Sequence, residues 1–392
     1  METREKPPAM QMVPAGSQAL AVRSAAIVAR GLRDLARESN WLVEKVFSGR
    51  SSNLSISPDG LVCALSPLVR HGSERVTLYD IDRGVPSLAL AVPGEPGNSP
   101  LGMPAAFAWS PAARYLVAAW GAWRPELHVF DLQAKTFLGA FGGGSNFPSR
   151  LAWSDAGKYF AAASSGGREG RLRVWNAASE SQGVMPFAGN KAAELSVAGC
   201  SSWPEWQELE GADTEAPAGA SFDDADGSAL SGFGRCAFSP DERALASVVE
   251  FEGEWADDSI AFLSVPGLQR ESVFHAQGHV TDLAWTFDSR RLVYCSAGQA
   301  SIVAADTLDC APFPFGAELC ACHPHLPLGL FFSSWLKNSA KGRLFLADLN
   351  RLTVFDECAA EDVVDLRWSL GGSKAYAVTS AGLAYIYEPA VL

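Results

Sequence analysis

The chain has 392 residues, of which 48% are apolar and 19% are charged, and its formal net charge is −13 at pH 7. This composition supplies a large core, and the acidic balance argues against binding to nucleic acids or anionic membranes. Apolar runs stay short of the roughly 18–20 residues of a membrane span, and a secretory signal pattern is lacking. Eight scattered cysteines suit a reducing compartment, so we expect a cytoplasmic protein.

The first 40 residues differ from the rest of the chain. Residues 1–16 are polar with Pro and Met, and we expect a disordered tail. Residues 17–40 are predicted to form an amphipathic helix, for which Ser17 is a plausible N-cap. Packing on the folded domain, docking to a partner and organelle targeting are the three alternatives for this helix. Its apolar stripe is Leu20, Ile27, Val28, Leu32 and Leu35, and Arg23, Arg30, Arg33 and Arg37 lie mostly on the other face.

Residues 42–47 alternate enough to be a strand, and a repeated pattern follows it. In each copy, a short apolar strand ends in a turn, usually at a serine. The first and third residues of each strand end point to the same face, because side chains alternate along a strand. That face is large and apolar, as expected where one small sheet packs on the next. The seven strand ends are Leu54–Pro58, Phe107–Pro111, Leu151–Asp155, Cys236–Pro240, Leu283–Phe287, Cys320–Pro324 and Leu366–Leu370.

About 20 residues after each turn comes a second strand, which often ends in an aromatic–acidic pair such as Tyr79-Asp80 or Phe130-Asp131. Four strands per unit at this spacing are typical of a β-propeller, and the aromatic–Asp ending resembles the WD40 family. The resemblance covers roughly residues 41–392 and implies an all-β ring of seven four-stranded antiparallel blades. Only blade 3 has Trp before its final polar residue (Trp175-Asn176), and only blade 5 keeps Gly278-His279. We therefore expect apolar packing between blades to hold the ring.

The ring needs a closing strand, because the last blade, from about residue 363, supplies three strands and a blade needs four. We assign the strand at 42–47 as the outer strand of blade 7, which removes an exposed sheet edge.

An acidic insertion is predicted at residues 190–232, between blades 3 and 4. It contains one Lys and nine acidic residues, and it explains the longest gap between turn serines. An eighth blade is the alternative, but without the insertion seven blades average about 44 residues, within the ~40–45 expected.

Strands a to d of a blade are arranged in order from the ring centre outwards, and neighbouring strands are antiparallel. The b–c loops and the d–a connections therefore emerge at the same end of the ring. We call this end the b–c face. Its long loops carry aromatic, Arg and acidic residues, a combination typical of interface hot spots. We predict a non-catalytic scaffold that binds a protein or a basic peptide there, although the Trp residues could instead plug the ring or line a small-ligand pocket. The predicted partner-binding residues are Trp123, Arg124, Glu252, Glu254, Trp255, Asp257, Asp258 and Trp335.

Catalytic motifs are harder to find. The chain has no nucleophile elbow, P-loop, His-Glu-x-x-His or Cys-x-x-Cys, and we predict no catalytic residues, cofactor or metal. In Cys320-Ala-Cys-His-Pro-His325 the strand register favours core packing over zinc binding, and Asp223–Ser228 lacks two ligands of a calcium loop. We interpret Gly278-His279 together with Asp282 as a local turn and capping network of blade 5.

The alternative function is a propeller hydrolase or lyase with a pocket at the central channel. The residues before the inner strands, among which there is no histidine, disfavour it: Ser52, Ala105, Arg150, Arg235, Asp282, Leu319 and Asp365.

Overall fold

Seven four-stranded antiparallel sheets make up the described part of the chain, and all of its regular elements are β-strands. This confirms the predicted all-β fold of seven blades. No helix within the described ranges has the length and apolar character to cross a membrane. The computed structural model describes residues 41–46, 54–66, 74–91, 106–120, 126–141, 150–164, 169–177, 191–198, 230–251, 257–334 and 342–388.

The strands follow the blades in chain order after β1 (Trp41–Lys45). Blade 1 contains β2 (Leu54–Ile56), β3 (Val62–Leu65), β4 (Glu74–Asp80) and β5 (Val85–Ala91). Blade 2 contains β6 (Ala106–Trp109), β7 (Tyr115–Trp120), β8 (Glu126–Asp131) and β9 (Thr136–Phe141). Blade 3 contains β10 (Arg150–Trp153), β11 (Tyr159–Ser164), β12 (Glu169–Asn176) and β13 (Lys191–Ala198).

Blades 4 to 7 repeat the arrangement. Blade 4 contains β14 (Leu230–Phe238), β15 (Ala244–Phe251), β16 (Ser259–Ser264) and β17 (Arg270–His275). Blade 5 contains β18 (Val280–Trp285), β19 (Arg291–Ser296), β20 (Gln299–Ala304) and β21 (Cys310–Pro312). Blade 6 contains β22 (Leu319–Cys322), β23 (Leu328–Ser333), β24 (Gly342–Asp348) and β25 (Thr353–Ala360). Blade 7 contains β26 (Val363–Trp368), β27 (Ala375–Thr379), β28 (Leu383–Tyr387) and β1.

Apolar packing fills every seam between neighbouring blades. The inner strands contact one another around the whole ring, and β26 returns to β2. Seven clusters of buried apolar side chains lie in the described residues, one at each seam. At the seam of blades 4 and 5, Phe262 and Trp285 meet edge to face at 5.7 Å. These clusters are the interblade packing expected from the large apolar faces of the strand repeat.

Tryptophan at the third position of a strand end also bonds to the preceding blade. The indole N–H of Trp285 donates to the carbonyl of Ala237 at 2.9 Å. Trp109 donates to Ser55 and Trp368 to Ala321, each at 3.3 Å. Because a buried indole N–H needs an acceptor, this bond fixes the height of one inner strand against the next.

The turn serines cap the a–b turns. In each case the hydroxyl oxygen accepts the N–H of the residue five positions later, which begins strand b or directly precedes it and would otherwise lack a partner. Ser110 accepts Tyr115 N–H at 2.9 Å, and Ser154 accepts Tyr159 N–H at the same distance. The same bond recurs at Ser57, Ser239, Thr286 and Ser369. This shared bond explains why the sequence repeat marks its turns with Ser or Thr.

Strand β1 lies beside β28 as the outer strand of blade 7. Their antiparallel register runs from Trp41 opposite Tyr387 to Lys45 opposite Leu383. Val46, which is fully buried, donates its N–H to the carbonyl of Gly382 at 2.8 Å. The predicted tail at 1–16 and helix at 17–40 lie outside the described residues.

The predicted boundaries of the acidic insertion, residues 190 and 232, differ from those in the structure. Residues 191–198, which we assigned to the insertion, form β13 and pair with β12 as the outer strand of blade 3. Strand β14 likewise begins at Leu230, inside the predicted insertion. Outer strands have one neighbour only, so β13 carries a mixed sequence without the strong apolar alternation of an inner strand. Residues 199–229, between these strands, lie outside the described residues.

Replacing residues 199–229 by a short Gly-Ser linker is expected to leave the propeller folded. Loop closure entropy grows only logarithmically with length, so the linker changes stability by about 1 kcal/mol or less. Thermal unfolding followed by circular dichroism should show a midpoint within a few degrees of the intact chain. A large loss of stability would instead assign Trp203 or Trp206 to the core.

Candidate partner-binding face

The b–c face is built where b–c loops meet the neighbouring d–a connections. Ala276, after blade 4, donates its N–H to the carbonyl of Asp258 at 2.9 Å. Ala297, in the b–c turn of blade 5, donates to the carbonyl of His279 at 3.3 Å. Ser380, in the b–c turn of blade 7, donates to Asp362 at 2.8 Å. These backbone bonds join the two kinds of loop at one end of the ring.

Two of the eight predicted partner-binding residues fall in the described part of the chain, and they have different environments. Asp257 is exposed, and its Oδ1 accepts the N–H of Gly278 at 2.6 Å. Asp258, the next residue, is only 2% exposed. The other six, Trp123, Arg124, Glu252, Glu254, Trp255 and Trp335, lie outside the described residues.

Asp258 joins blade 4 to blade 5. Its Oδ2 accepts the N–H of Val280 at 2.7 Å and lies 2.8 Å from Nδ1 of His279, a side chain that is 66% exposed. Burial raises the pKa of the Asp258 carboxyl, while the Val280 N–H and the His279 imidazole act in the opposite direction. The Gly278-His279 turn, which we predicted to form a network with Asp282, therefore pairs with Asp257 and Asp258 instead, and the carboxylate of Asp258 is occupied within the chain.

A charged cluster lies on the inner strands of several blades. Asp282 is 8% exposed, and its Oδ1 lies 3.2 Å from Nη1 of Arg235 on blade 4. Its Oδ2 accepts the N–H of Cys320 on blade 6 at 3.0 Å. One carboxylate thus contacts both neighbouring blades. Burial raises the pKa of Asp282, and Arg235 and the two backbone N–H donors, from Cys320 and Leu283, oppose that rise.

Asp365 joins blade 7 to blade 1. Its Oδ2 accepts the N–H of Ile56 on blade 1 at 2.8 Å. Burial raises the pKa of the Asp365 carboxyl as well. Arg150, Arg235, Asp282 and Asp365 each stand four residues before the residue that caps the a–b turn, so the repeat itself could have indicated this cluster. Sequence reasoning noted these residues but did not bring them together.

The Cys320–His325 segment takes the packing role expected from its register. The thiol of Cys320 is buried in the cluster between blades 5 and 6, and Cys322 packs against the same cluster. His323 points away from both thiols, with Nε2 3.0 Å from the carbonyl of Gly372 on blade 7. Within the described ranges, no group of three His, Cys, Asp or Glu side chains is placed to hold a metal ion.

The fold defines the chain as a seven-bladed β-propeller, and solved structures share it. Hydrazine synthase of Kuenenia stuttgartiensis matches with a TM-score of 0.61 and 15% identity, over 88% of this chain and 97% of that chain. A chain of the mitotic checkpoint complex matches with a TM-score of 0.56 and 15% identity, over 89% and 94%. At this identity the similarity concerns the fold alone. No curated protein sequence matches significantly.

The family model described as "WD domain, G-beta repeat" matches residues 135–176. That range holds β9 of blade 2 and β10 to β12 of blade 3, and it ends at Trp175-Asn176. The matched repeat is therefore offset from the blade by one strand, because it begins with the outer strand of the preceding blade. The chain begins its repeats in the same way, since β1 is the outer strand of blade 7 and precedes blade 1. The chain is therefore a seven-bladed β-propeller with a WD40-type repeat at residues 135–176.

Proposed function

We propose that this propeller is a non-catalytic scaffold that binds a partner protein or peptide on its b–c face. WD40 propellers typically serve as interaction scaffolds, and the acidic character of this face supports a partner segment rich in Lys or Arg. Asp257, Glu361 and Asp362 are exposed at this end, on the b–c loop of blade 4 and the connection between blades 6 and 7. Like-signed charges on separate loops steer an oppositely charged partner during encounter.

The charged cluster around Asp282 supports a structural role over a catalytic one. A general acid or base needs a group that can reach a substrate and exchange a proton with it. The carboxylate of Asp282 instead accepts two backbone N–H groups and contacts the guanidinium of Arg235. These contacts satisfy Asp282 within the ring, so the alternative of a propeller hydrolase or lyase finds no support in this cluster.

Binding is expected to depend on the aromatic residues of the b–c loops. Affinity purification with the intact chain identifies the partner, and elution by salt shows the charge contribution. Replacing Trp123, Trp255 or Trp335 by Ala should then raise Kd, by roughly thirtyfold for a central anchor, because such truncations typically cost about 2 kcal/mol. Isothermal titration calorimetry measures this change.

Charge-neutralising changes should act on the association rate. Glu252→Gln, Glu254→Gln and Asp257→Asn are expected to slow association at low salt, with an effect that fades as salt is raised. Asp258 is left unchanged because its carboxylate is buried. Phe287→Ala and Glu271→Gln, at exposed positions away from this face, are the matched controls. Equal losses in controls and face variants would contradict the proposal.

A further inference from the structure

Exposed apolar side chains are concentrated at one seam of the ring. Six large apolar residues are well exposed in the described part of the chain, and five of them belong to blades 7 and 1. Such side chains scattered singly need no explanation, but a group on adjacent blades indicates a surface that something covers. The five are Leu42 (54% exposed), Val43 (53%), Leu61 (50%), Val85 (47%) and Leu370 (47%), and the sixth is Phe287 on blade 5 (37%).

The turns that carry three of these residues are tied together. Leu370, in the a–b turn of blade 7, donates its N–H to the carbonyl of Pro58 in the a–b turn of blade 1 at 3.0 Å. Leu61 follows Pro58 in the same turn and accepts the N–H of Ile81, four residues before Val85, at 2.9 Å. The ring of Tyr376 from blade 7 lies against Gly60, whose φ of +73° and close contact leave no room for a side chain.

Acidic groups surround this seam. Burial raises the pKa of Tyr376, and the carboxylates of Asp82, Asp59 and Glu388 raise it further, whereas the Lys374 ammonium lowers it. Glu388 pairs with Lys374, while Asp59 and Asp82 are exposed. Lys45 and Arg83 are exposed cations at the same seam, and Arg83 lies 3.8 Å from Asp80. The four carboxylates of Asp59, Asp80, Asp82 and Glu388 therefore exceed the three cations Lys45, Arg83 and Lys374 by one, which leaves a small net negative charge.

The N-terminal segment leaves the ring beside this seam. Trp41, the first residue of β1, lies opposite Tyr387 with their ring centroids 5.2 Å apart, and Glu388 follows Tyr387 directly. Leu42 and Val43 come next in β1 and lie on opposite faces of this edge strand. Leu42 is on the face of Val46, toward the seam of blades 7 and 1, whereas Val43 is on the face of Trp41, toward blade 6. Ser39 and Asn40, the last residues of the predicted helix at 17–40, connect its arginine-bearing part, residues 17–38, to Trp41.

We propose that residues 17–38 fold back as an amphipathic helix onto the seam of blades 7 and 1. The apolar stripe of Leu20, Ile27, Val28, Leu32 and Leu35 covers the four exposed apolar residues on this side, which are Leu42, Leu61, Val85 and Leu370. Arg23, Arg30, Arg33 and Arg37 face its carboxylates. A helix of this length spans about 33 Å, enough to run from the outer edge at β1 across both a–b turns.

Limited digestion with trypsin tests this docking, because the four arginines are cleavage sites within the proposed helix. In the folded protein, cleavage at these sites, followed by intact-mass spectrometry, should be at least about tenfold slower than in a synthetic peptide of residues 10–40. Leu42→Ser combined with Leu370→Ser should restore fast cleavage. Raising the salt concentration should also speed it, since screening weakens the charge contacts.

Phe287→Ser is the matched control, because it removes the exposed apolar side chain outside the seam and should leave the cleavage rate unchanged. Circular dichroism verifies that every variant is folded, and Leu61→Ser with Val85→Ser is a second pair should the first one unfold. Cleavage as fast as in the free peptide, or equal rates in seam and control variants, would overturn the proposal. Protection that grows with protein concentration would overturn it too, since it would assign the seam to a second copy of the chain.

Discussion

A chain that lacks residues 1–48 is expected to lose cooperative unfolding. The deletion removes β1, so β28 becomes an unpaired edge, and the deletion uncovers apolar surface on both faces of blade 7, against which Trp41 and Val46 pack. Removing a large buried side chain typically costs about 2–5 kcal/mol, and this deletion removes the buried Val46 and the half-buried Trp41 together with the backbone bonds of a strand. A loss of that size approaches the whole stability of many domains. An open sheet edge also favours association between molecules.

Differential scanning calorimetry and light scattering measure the two effects. We expect a broadened or absent transition and aggregates in the 1–48 deletion. A deletion of residues 1–40 keeps β1 and is the matched control, which should still melt in one sharp transition, and a deletion of residues 1–16 should change little. If the 1–48 deletion melts like the intact chain, β1 does not close the ring in solution.

Acid is expected to destabilise the propeller through His323, the residue that replaces the turn serine in blade 6. Nδ1 of His323 accepts the N–H groups of His325 and Leu326, each at 3.0 Å, so the proton of the neutral ring lies on Nε2 and is donated to Gly372. Protonation of Nδ1 would place a proton against two N–H donors. Burial lowers the pKa of His323 from 6.5 to about 4.

The sign of the pH effect follows from this lowered pKa. Between pH 6.5 and about 4 the unfolded chain binds a proton at His323 and the folded chain does not, so stability falls as the pH falls through this interval. The full loss, reached below about pH 4, is roughly 3 kcal/mol. Above pH 6.5 the contribution is constant.

Urea unfolding between pH 7.5 and 4 measures this effect. The variant His323→Ser introduces the residue used in most other blades, and its stability should depend less steeply on pH than that of the intact chain. His325→Gln is the control, because His325 is exposed and its loss should leave the steep dependence intact. Parallel pH curves for His323→Ser and the intact chain would show that His323 does not titrate as described.

The fold was predictable because its signal is repeated. Each a–b turn needs a partner for the first N–H of strand b, so a Ser or Thr such as Ser110 or Thr286 recurs at the same position. Each seam needs a large apolar face, which places Trp109, Trp285 and Trp368 in register. The outer strand β13 was missed because it packs on one neighbour only, and its sequence resembles that of the acidic stretch that follows.

The candidate face was less predictable, because its contacts join residues far apart in sequence. The pair of Arg235 and Asp282 spans two blades, and the bond from Cys320 to Asp282 adds a third. Asp257 and Asp258 are neighbours in a charged loop, yet one is exposed and the other is buried against Val280 and His279. Composition predicts the charge of a loop, but the direction of each carboxylate depends on the backbone around it.

The pairing of β1 with β28 has a consequence for how the chain could be rearranged. The strands at 41–45 and 383–387 are neighbours in one sheet, so the propeller is in effect a closed circle that the polypeptide enters and leaves at one corner. A circular permutant could connect the end of β28 to the start of β1 by a short linker and place new termini between β13 and β14. In that order blade 7 would form from a continuous stretch of sequence, and no blade would depend on strands from opposite ends of the polypeptide.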